Sequence, residues 1–140
     1  MHYYLKVLQN YINFSGRAQR AEYWYFYLFN TLIAVGVILI DISIGTYNAD
    51  AGTGLLHSMY VLCILLPSIA VAVRRLHDIG KSGWMLLILL IPLIGFIWLI
   101  ILLVKDSEPG DNQYGPNPKG VPAPAAEPLT DPGLGNKSLY

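Results

Sequence analysis

Three long apolar runs, separated by short polar ones, organise this chain. From Tyr23 to Ile40 the sequence YWYFYLFNTLIAVGVILI carries no charge. At about 1.5 Å per helical residue, that run and its flank reach the roughly 30 Å hydrocarbon layer of a bilayer. Leu55 to Val73, LLHSMYVLCILLPSIAVAV, is a second such run. Its one proline, Pro67, is acceptable in a membrane helix if a neighbour satisfies the carbonyl it frees. Trp84 to Val104, WMLLILLIPLIGFIWLIILLV, is the most hydrophobic of the three, yet Pro92 and Gly95 sit at its middle. The predicted fold is therefore an all-α membrane protein with segments at about 23–44, 55–73 and 84–104, the last either a kinked crossing or a re-entrant hairpin. Segment length favours the crossing, since each hairpin limb would have only about ten residues against the roughly twenty of a full span.

The flanks complete the plan. Tyr4, Leu5, Leu8, Tyr11 and Ile12 share one helical face, and Lys6, Gln9, Asn10 and Asn13 share the other. This pattern predicts an interfacial amphipathic helix over 3–14. Ser15 and Gly16 interrupt it, with Ser15 the expected cap of the next helix. After the third run, 105–118 is dense in proline, glycine and asparagine and reads as a polar turn. Residues 1–118 thus form a single membrane domain, and 119–140 hold too little bulky apolar sequence to offset ordering entropy, so a disordered tail is expected there. The first twenty residues show no continuous apolar core or small-residue cleavage site and do not read as a removable signal.

Composition agrees, at 54% hydrophobic and 13% charged against roughly a quarter charged in soluble domains. Formal net charge is zero, which offers no bulk attraction for nucleic acid. The distribution of charge is more informative. Lys6, Arg17 and Arg20 precede the first run, Arg74, Arg75 and Lys81 follow the second, and the loop 45–54 has neither Lys nor Arg. Cytoplasmic loops retain such residues, so the amino terminus and both basic clusters are expected inside. A crossing third segment would send 105–118 outside; a hairpin would return it inside. Lys105 favours the hairpin. The single cysteine, Cys63, reads as a small buried hydrophobe.

The densest group of reactive side chains is RRLHDIGKSGW, Arg74 to Trp84. On a helix Asp78 is i+4 from Arg74 and i+3 from Arg75, so a salt-bridged helix end is expected, closed by Gly80 and followed by a helix that Ser82 caps. FSGRAQRAEYW brings Arg17, Arg20 and Glu22 to the same side. Four arginines beside a lipid surface suit a phosphate headgroup or another anion, because guanidinium binds phosphate bidentately. The candidate site is accordingly Arg17, Arg20, Glu22, Arg74, Arg75, His77 and Asp78, acting as a headgroup site or as a structural ionic network. Trp24 and Trp84 are expected interfacial anchors, with a cation–π contact from Arg20 to Trp24. His77 and Asp78 diverge by about 100° on a helix and have no nucleophile or second base beside them, so no catalytic set is assigned. The histidines are too scattered to predict a metal site, and no cofactor is implied. His57 reads as interfacial, and Asp41, at the outer end of the first run, as simply hydrated.

Together YLKVLQNYINFSGRAQRAEYW, RRLHDIGKSGW, IPLIGFIW and GDNQYGPNP resemble the bacterial inner-membrane family known as domain of unknown function 805, over Tyr3 to Pro118. The resemblance implies a multi-pass protein of the bacterial cytoplasmic membrane. It also implies importance for Arg17, Arg20, Glu22, Trp24, Arg74, Arg75, His77, Asp78, Gly83, Trp84, Asn112, Tyr114, Gly115 and Pro116. It supplies no activity. The expected function is non-enzymatic binding of membrane lipid, including anionic lipid, or of a membrane-protein partner or second copy. The alternatives are a small transporter or channel subunit, with Asn30, Thr31, Ser58 and Ser68 lining a path, and an enzyme acting on a lipid headgroup through His77 and Asp78.

Overall fold

The computed structural model describes residues 2–124, so most of the predicted tail lies outside the described residues. The elements are helix α1 (His2–Gln9), helix α2 (Arg20–Ile44), an antiparallel ribbon of β1 (Tyr47–Asn48) and β2 (Thr53–Gly54), helix α3 (Leu55–Asp78), a 3-10 helix (Gly83–Leu90) and helix α4 (Ile94–Val104). The fold is mostly helical, and among the described residues α2 and α3 are the two helices long and apolar enough to cross a membrane. Their outer surfaces leave large side chains such as Leu32, Leu39 and Leu62 exposed. Apolar exposure of this extent suits contact with lipid rather than water. Cys63 is on that surface too, and is exposed instead of buried as expected.

α2 and α3 are joined by the ribbon, in register Tyr47↔Gly54 and Asn48↔Thr53. Asp41 fixes this end. Its carboxylate is fully buried and accepts the backbone N–H groups of Leu56 (3.1 Å) and His57 (2.8 Å) and the Thr46 hydroxyl. Those N–H groups begin α3, whose own N-cap residue, Gly54, has no side chain to satisfy them. Asp41 therefore caps the neighbouring helix and is not merely hydrated. Within α3, Pro67 lacks the N–H that would bond the Cys63 carbonyl, and the Tyr11 hydroxyl donates to that carbonyl instead. Asn30 and Tyr60 tie the two helices at mid-length, with the Tyr60 hydroxyl 2.5 Å from the Asn30 carbonyl oxygen.

The amino-terminal helix is shorter than the predicted 3–14. The Asn10 amide bonds the Lys6 carbonyl, and Asn13 accepts the Ser15 N–H, which turns the chain. Ser15 is thereby used in the turn, and α2 begins without a side-chain cap. Val7 of α1 is fully buried against Ala18, Phe26 and Val71, with Tyr4 and Leu8 beside it, whereas Leu5 and Ile12 are exposed. Tyr3 stacks on Tyr25, and Tyr4 packs on Phe26 and Phe29, so α1 lies against α2.

The third apolar segment does not run through in one pass. The 3-10 helix Gly83–Leu90 ends at Ile91, the chain reverses over Pro92 and Leu93, and α4 returns beside the first limb. At about 2.0 Å per residue for one limb and 1.5 Å for the other, each is ~16 Å long. Gly95 makes the reversal possible: a Cβ there would lie 1.8 Å from the Ile88 carbonyl oxygen. The turn's backbone stays bonded, Ile91 N–H to Ile88, Ile94 N–H to Pro92 and Gly95 N–H to Ile91. Leu99, Leu102 and Leu103 of α4 then bury Leu76 of α3 in a second core, and Tyr23 packs on both cores. The expected crossing is thus replaced by a hairpin, which sets 105–118 beside the carboxyl end of α3.

Candidate functional site

The end of α3 is closed as the sequence suggests. Gly80 takes a left-handed conformation (φ 69°), its N–H bonds the His77 carbonyl, and the Lys81 N–H reaches back to Leu76. Ser82 then accepts the Trp84 N–H at 3.4 Å and starts the 3-10 helix. Arg74, Arg75, His77 and Asp78 are therefore held on a terminated, rigid turn, and each is given a different direction.

Asp78 is fully buried between two arginines. Arg17 Nε donates to Oδ1 at 3.0 Å, Arg75 Nη1 to Oδ2 at 2.5 Å, and the Ser107 hydroxyl to Oδ2 at 2.6 Å. Arg17 is also the anchor of the polar turn. Its remaining N–H groups donate to the carbonyls of Asp78 (3.2 Å), Glu108 (2.5 Å), Gly110 (2.7 Å) and Gly115 (3.3 Å), which uses the five donors a guanidinium has. Arg75 donates further to the carbonyls of Leu103 (3.1 Å) and Lys105, pinning the end of α4. Burial pushes the Arg75 pKa down and the Asp78 charge opposes that shift.

Arg74 does not pair with Asp78 at i+4. It turns the other way to Glu22 at 2.7 Å, while its backbone carbonyl receives the Ala18 N–H. Glu22 is fully buried, and its second oxygen lies 2.9 Å from Lys6 Nζ, an ionic contact without hydrogen-bond alignment. Arg74 Nε and Nη2 are buried without partners among the described residues. Two ionic groups result, Lys6–Glu22–Arg74 and Arg17–Asp78–Arg75. The four arginines do not pool toward one phosphate: Arg17 commits all five donors to protein acceptors, Arg75 is fully buried with each nitrogen bonded to a protein oxygen, and Arg20, about two-fifths exposed, pairs with Asp106 at 3.0 Å instead of lying on Trp24. Lys119 contacts Asp106 from the other side, and hydrogen bonds from Lys119 and the Ser107 N–H hold the Asp106 carboxyl below its usual pKa.

His77 is turned away from Asp78. Its ring stacks on Tyr114 with centroids 3.8 Å apart and planes 2° from parallel, and Nδ1 lies 3.2 Å from the Gly16 carbonyl. Burial pushes the His77 pKa down, opposed by the bond to Gly16. The Asn112 amide bonds both the His77 carbonyl and Glu108 Oε2, which holds Tyr114 over the ring. His77 lines a cleft of about 750 Å³ between the carboxyl-terminal half of α3 and the hairpin, bordered by Ser68, Ala72, Ser82, Trp84, Leu87 and Tyr114. Its wall is otherwise aliphatic and aromatic, and no Lys, Arg, Asp or Glu lines it. Concave, mainly apolar sites with a few placed polar groups are the usual form of small-molecule sites.

Of the residues named for other chemistry, Ser68 and Trp84 border the cleft and the rest lie elsewhere. Asn30, Thr31, Ser58 and Ser68 each bond a carbonyl one turn earlier. His57 meets Thr53 at the ribbon. Trp24 packs edge-on against Tyr23 and Tyr27, and Trp84 is 79% exposed at the start of the hairpin. Among the described residues no His, Cys, Asp or Glu group is placed to hold a metal. Two participants escaped sequence reasoning, Lys6 as partner of Glu22 and Ser107 as donor to Asp78, while Tyr114 was named through the family resemblance without its contact to His77. Only Tyr114, an aromatic inside a turn motif, carried a visible signal.

Comparison with known proteins identifies the family. The family model described as "Protein of unknown function (DUF805)" matches residues 11–116, from the start of the amino-terminal turn to the end of the polar turn. Inner membrane protein YhaH of Escherichia coli K12 is 43% identical over 122 residues, covering 87% of this chain and 100% of that protein. Inner membrane protein YhaI of the same organism is 39% identical over 119 residues, 85% and 97% of the two chains. Uncharacterized protein YiiR is 25% identical over 142 residues, 84% and 93%. No solved structure matches. With two close relatives matched over nearly their whole length and the family model covering every element from α2 to the polar turn, this chain belongs to the DUF805 family.

Proposed function

We propose that this chain is a non-catalytic lipid-binding protein of the bacterial inner membrane, built from two crossings and a re-entrant hairpin. The relatives named as inner membrane proteins support the location. In this reading the apolar parts of α2 and α3 cross, the amphipathic α1 sits at the inner interface, and Trp24 and Trp84 rest near the headgroups. The hairpin enters from the same side as the basic clusters. Limbs of ~16 Å reach about half of a roughly 30 Å hydrocarbon layer. Lys6, Arg17, Arg20, Arg74, Arg75, Lys81, Lys105 and Lys119 then share one end of the molecule while 45–54 has no basic residue, as the positive-inside rule requires.

The observation that carries the function is the cleft between α3 and the hairpin. Its lining is mainly apolar and takes in His77, Ser82 and Tyr114 about the carboxyl end of α3, which suits the division of a lipid into chain and head. The two ionic groups hold the cleft open by fixing its walls, α3 and the hairpin, to α1 and the polar turn. His77 and Asp78 face different partners, which supports binding over headgroup chemistry. The test is native mass spectrometry of the protein extracted from membranes. Wild type is expected to carry lipid, and Ala72→Phe or Leu87→Trp, which fill the cleft from its wall and its rim, to carry at least tenfold less at unchanged thermal stability. Equal lipid retention in both variants would overturn the proposal.

A further inference from the structure

The chemistry of the cleft's polar end narrows its ligand, on the reading that the cleft holds lipid. A carbonyl oxygen only accepts hydrogen bonds, so the contact at 3.2 Å to Gly16 places the proton of neutral His77 on Nδ1. Nε2 is then a bare acceptor, and no described residue donates to it. The Ser82 hydroxyl accepts from the Trp84 N–H and retains its own proton to donate. The Tyr114 hydroxyl has no partner among the described residues, and the stack on His77 places its ring beside this acceptor. Around His77 the cleft thus offers one acceptor with the hydroxyls of Ser82 and Tyr114; of the other lining hydroxyls, Ser68 donates to the Ile64 carbonyl and Tyr23 is a third neutral group, and the wall has no charged side chain.

That set is a poor match for a phosphate. An anion brought here meets a lone pair on Nε2 and no cation, since no Arg or Lys lines the cleft: Arg17 and Arg75 are turned to carbonyls and Asp78, and Arg74 to Glu22. A charge without a partner in an apolar site is strongly disfavoured. A hydroxyl both donates and accepts, so it fits Nε2 on one side and Ser82 or Tyr114 on the other.

We infer that the cleft selects a membrane lipid whose head is an uncharged free hydroxyl, of the diacylglycerol class, with His77 as the acceptor that recognises it. Ordinary anionic phospholipids surround the protein but are not what the polar end of this cleft is built for.

The test reconstitutes the full chain in phosphatidylcholine nanodiscs doped with equal mole fractions of dioleoylglycerol and dioleoylphosphatidylglycerol, and counts retained lipid by native mass spectrometry after release into detergent. Dioleoylglycerol should be retained in preference. His77→Phe keeps the stack on Tyr114 and removes the acceptor, and should lower dioleoylglycerol retention about three- to tenfold, the worth of one hydrogen bond, without changing phosphatidylglycerol. His77→Gln restores an acceptor oxygen and should recover part of the loss. Tyr114→Phe, which preserves the aromatic stack, serves if His77→Phe fails to fold, and should also lower dioleoylglycerol alone. Preference for phosphatidylglycerol, or indifference of both lipids to these changes, overturns the head assignment while sensitivity to Leu87→Trp keeps the cleft reading. Absence of any lipid that Leu87→Trp displaces, or a lipid-free dimer that the same variant dissociates, overturns both.

Discussion

At the scale of single residues, the arginines show how one side-chain type takes different roles within a few ångströms. Asp78 neutralises two guanidiniums in a buried setting, and removing it leaves Arg17 and Arg75 without a counter-charge. Breaking a buried pair from one side costs about 3–5 kcal/mol, so Asp78→Ala should lower stability by that amount in detergent unfolding monitored by tryptophan fluorescence. Arg20→Ala removes a half-exposed pair to Asp106, and exposed pairs contribute about 0–1 kcal/mol, so this variant should unfold close to wild type. Equal effects of the two changes would contradict the buried network. The i+3 pairing of Arg75 with Asp78 was legible from spacing alone. The turn of Arg74 to Glu22 was not, because i+4 proximity competes with a carboxylate 52 positions away that only the packing of α2 on α3 brings near.

At the scale of elements, the hairpin is the feature in which the sequence reading and the structure part. Pro92 and Gly95 are compatible with a kink or a reversal, and a run of about twenty apolar residues is long enough to cross. The length argument fails because a run of this length serves equally as one span or as two limbs of ~16 Å each. The decision comes from the contacts each arrangement permits. Reversal lets Leu99, Leu102 and Leu103 cover Leu76, and it delivers the carbonyls of Leu103 and Lys105 to Arg75. Gly95 is the point of closest approach, so Gly95→Leu should separate the limbs. The expected outcome is a loss of stability with weaker protection of the 83–104 amides in hydrogen exchange, while the α2 and α3 amides keep theirs. Unchanged exchange in 83–104 would argue against this packing. The break after α1 and the caps at Gly80 and Ser82 follow from local chemistry. The cap that Asp41 provides to α3 does not, since it joins residues 15 and 16 positions apart through the ribbon between them.

At the scale of the whole molecule, the proposed topology has the hairpin set the side on which the chain continues. In a Cys63→Ser background, cysteines at Asn13 and Gln113 should both be protected from a membrane-impermeant maleimide in intact cells, and a cysteine at Ala51 should be labelled. Labelling of Gln113 together with Ala51 would restore three crossings and remove the cleft's polar end from the inner face. The sequence by itself determined the two long apolar helices, the clustering of basic residues away from 45–54, the family motifs and the helix-closing turns, because hydrophobic length, charge placement and capping act over a few neighbouring residues. Tertiary structure alone decided that the third segment reverses, that the arginines face inward to carbonyls and carboxylates, and that His77 lies under Tyr114 at the end of an apolar cleft. Each of those outcomes depends on which distant groups can satisfy a buried charge or a freed hydrogen bond, and that choice is settled only when the helices pack.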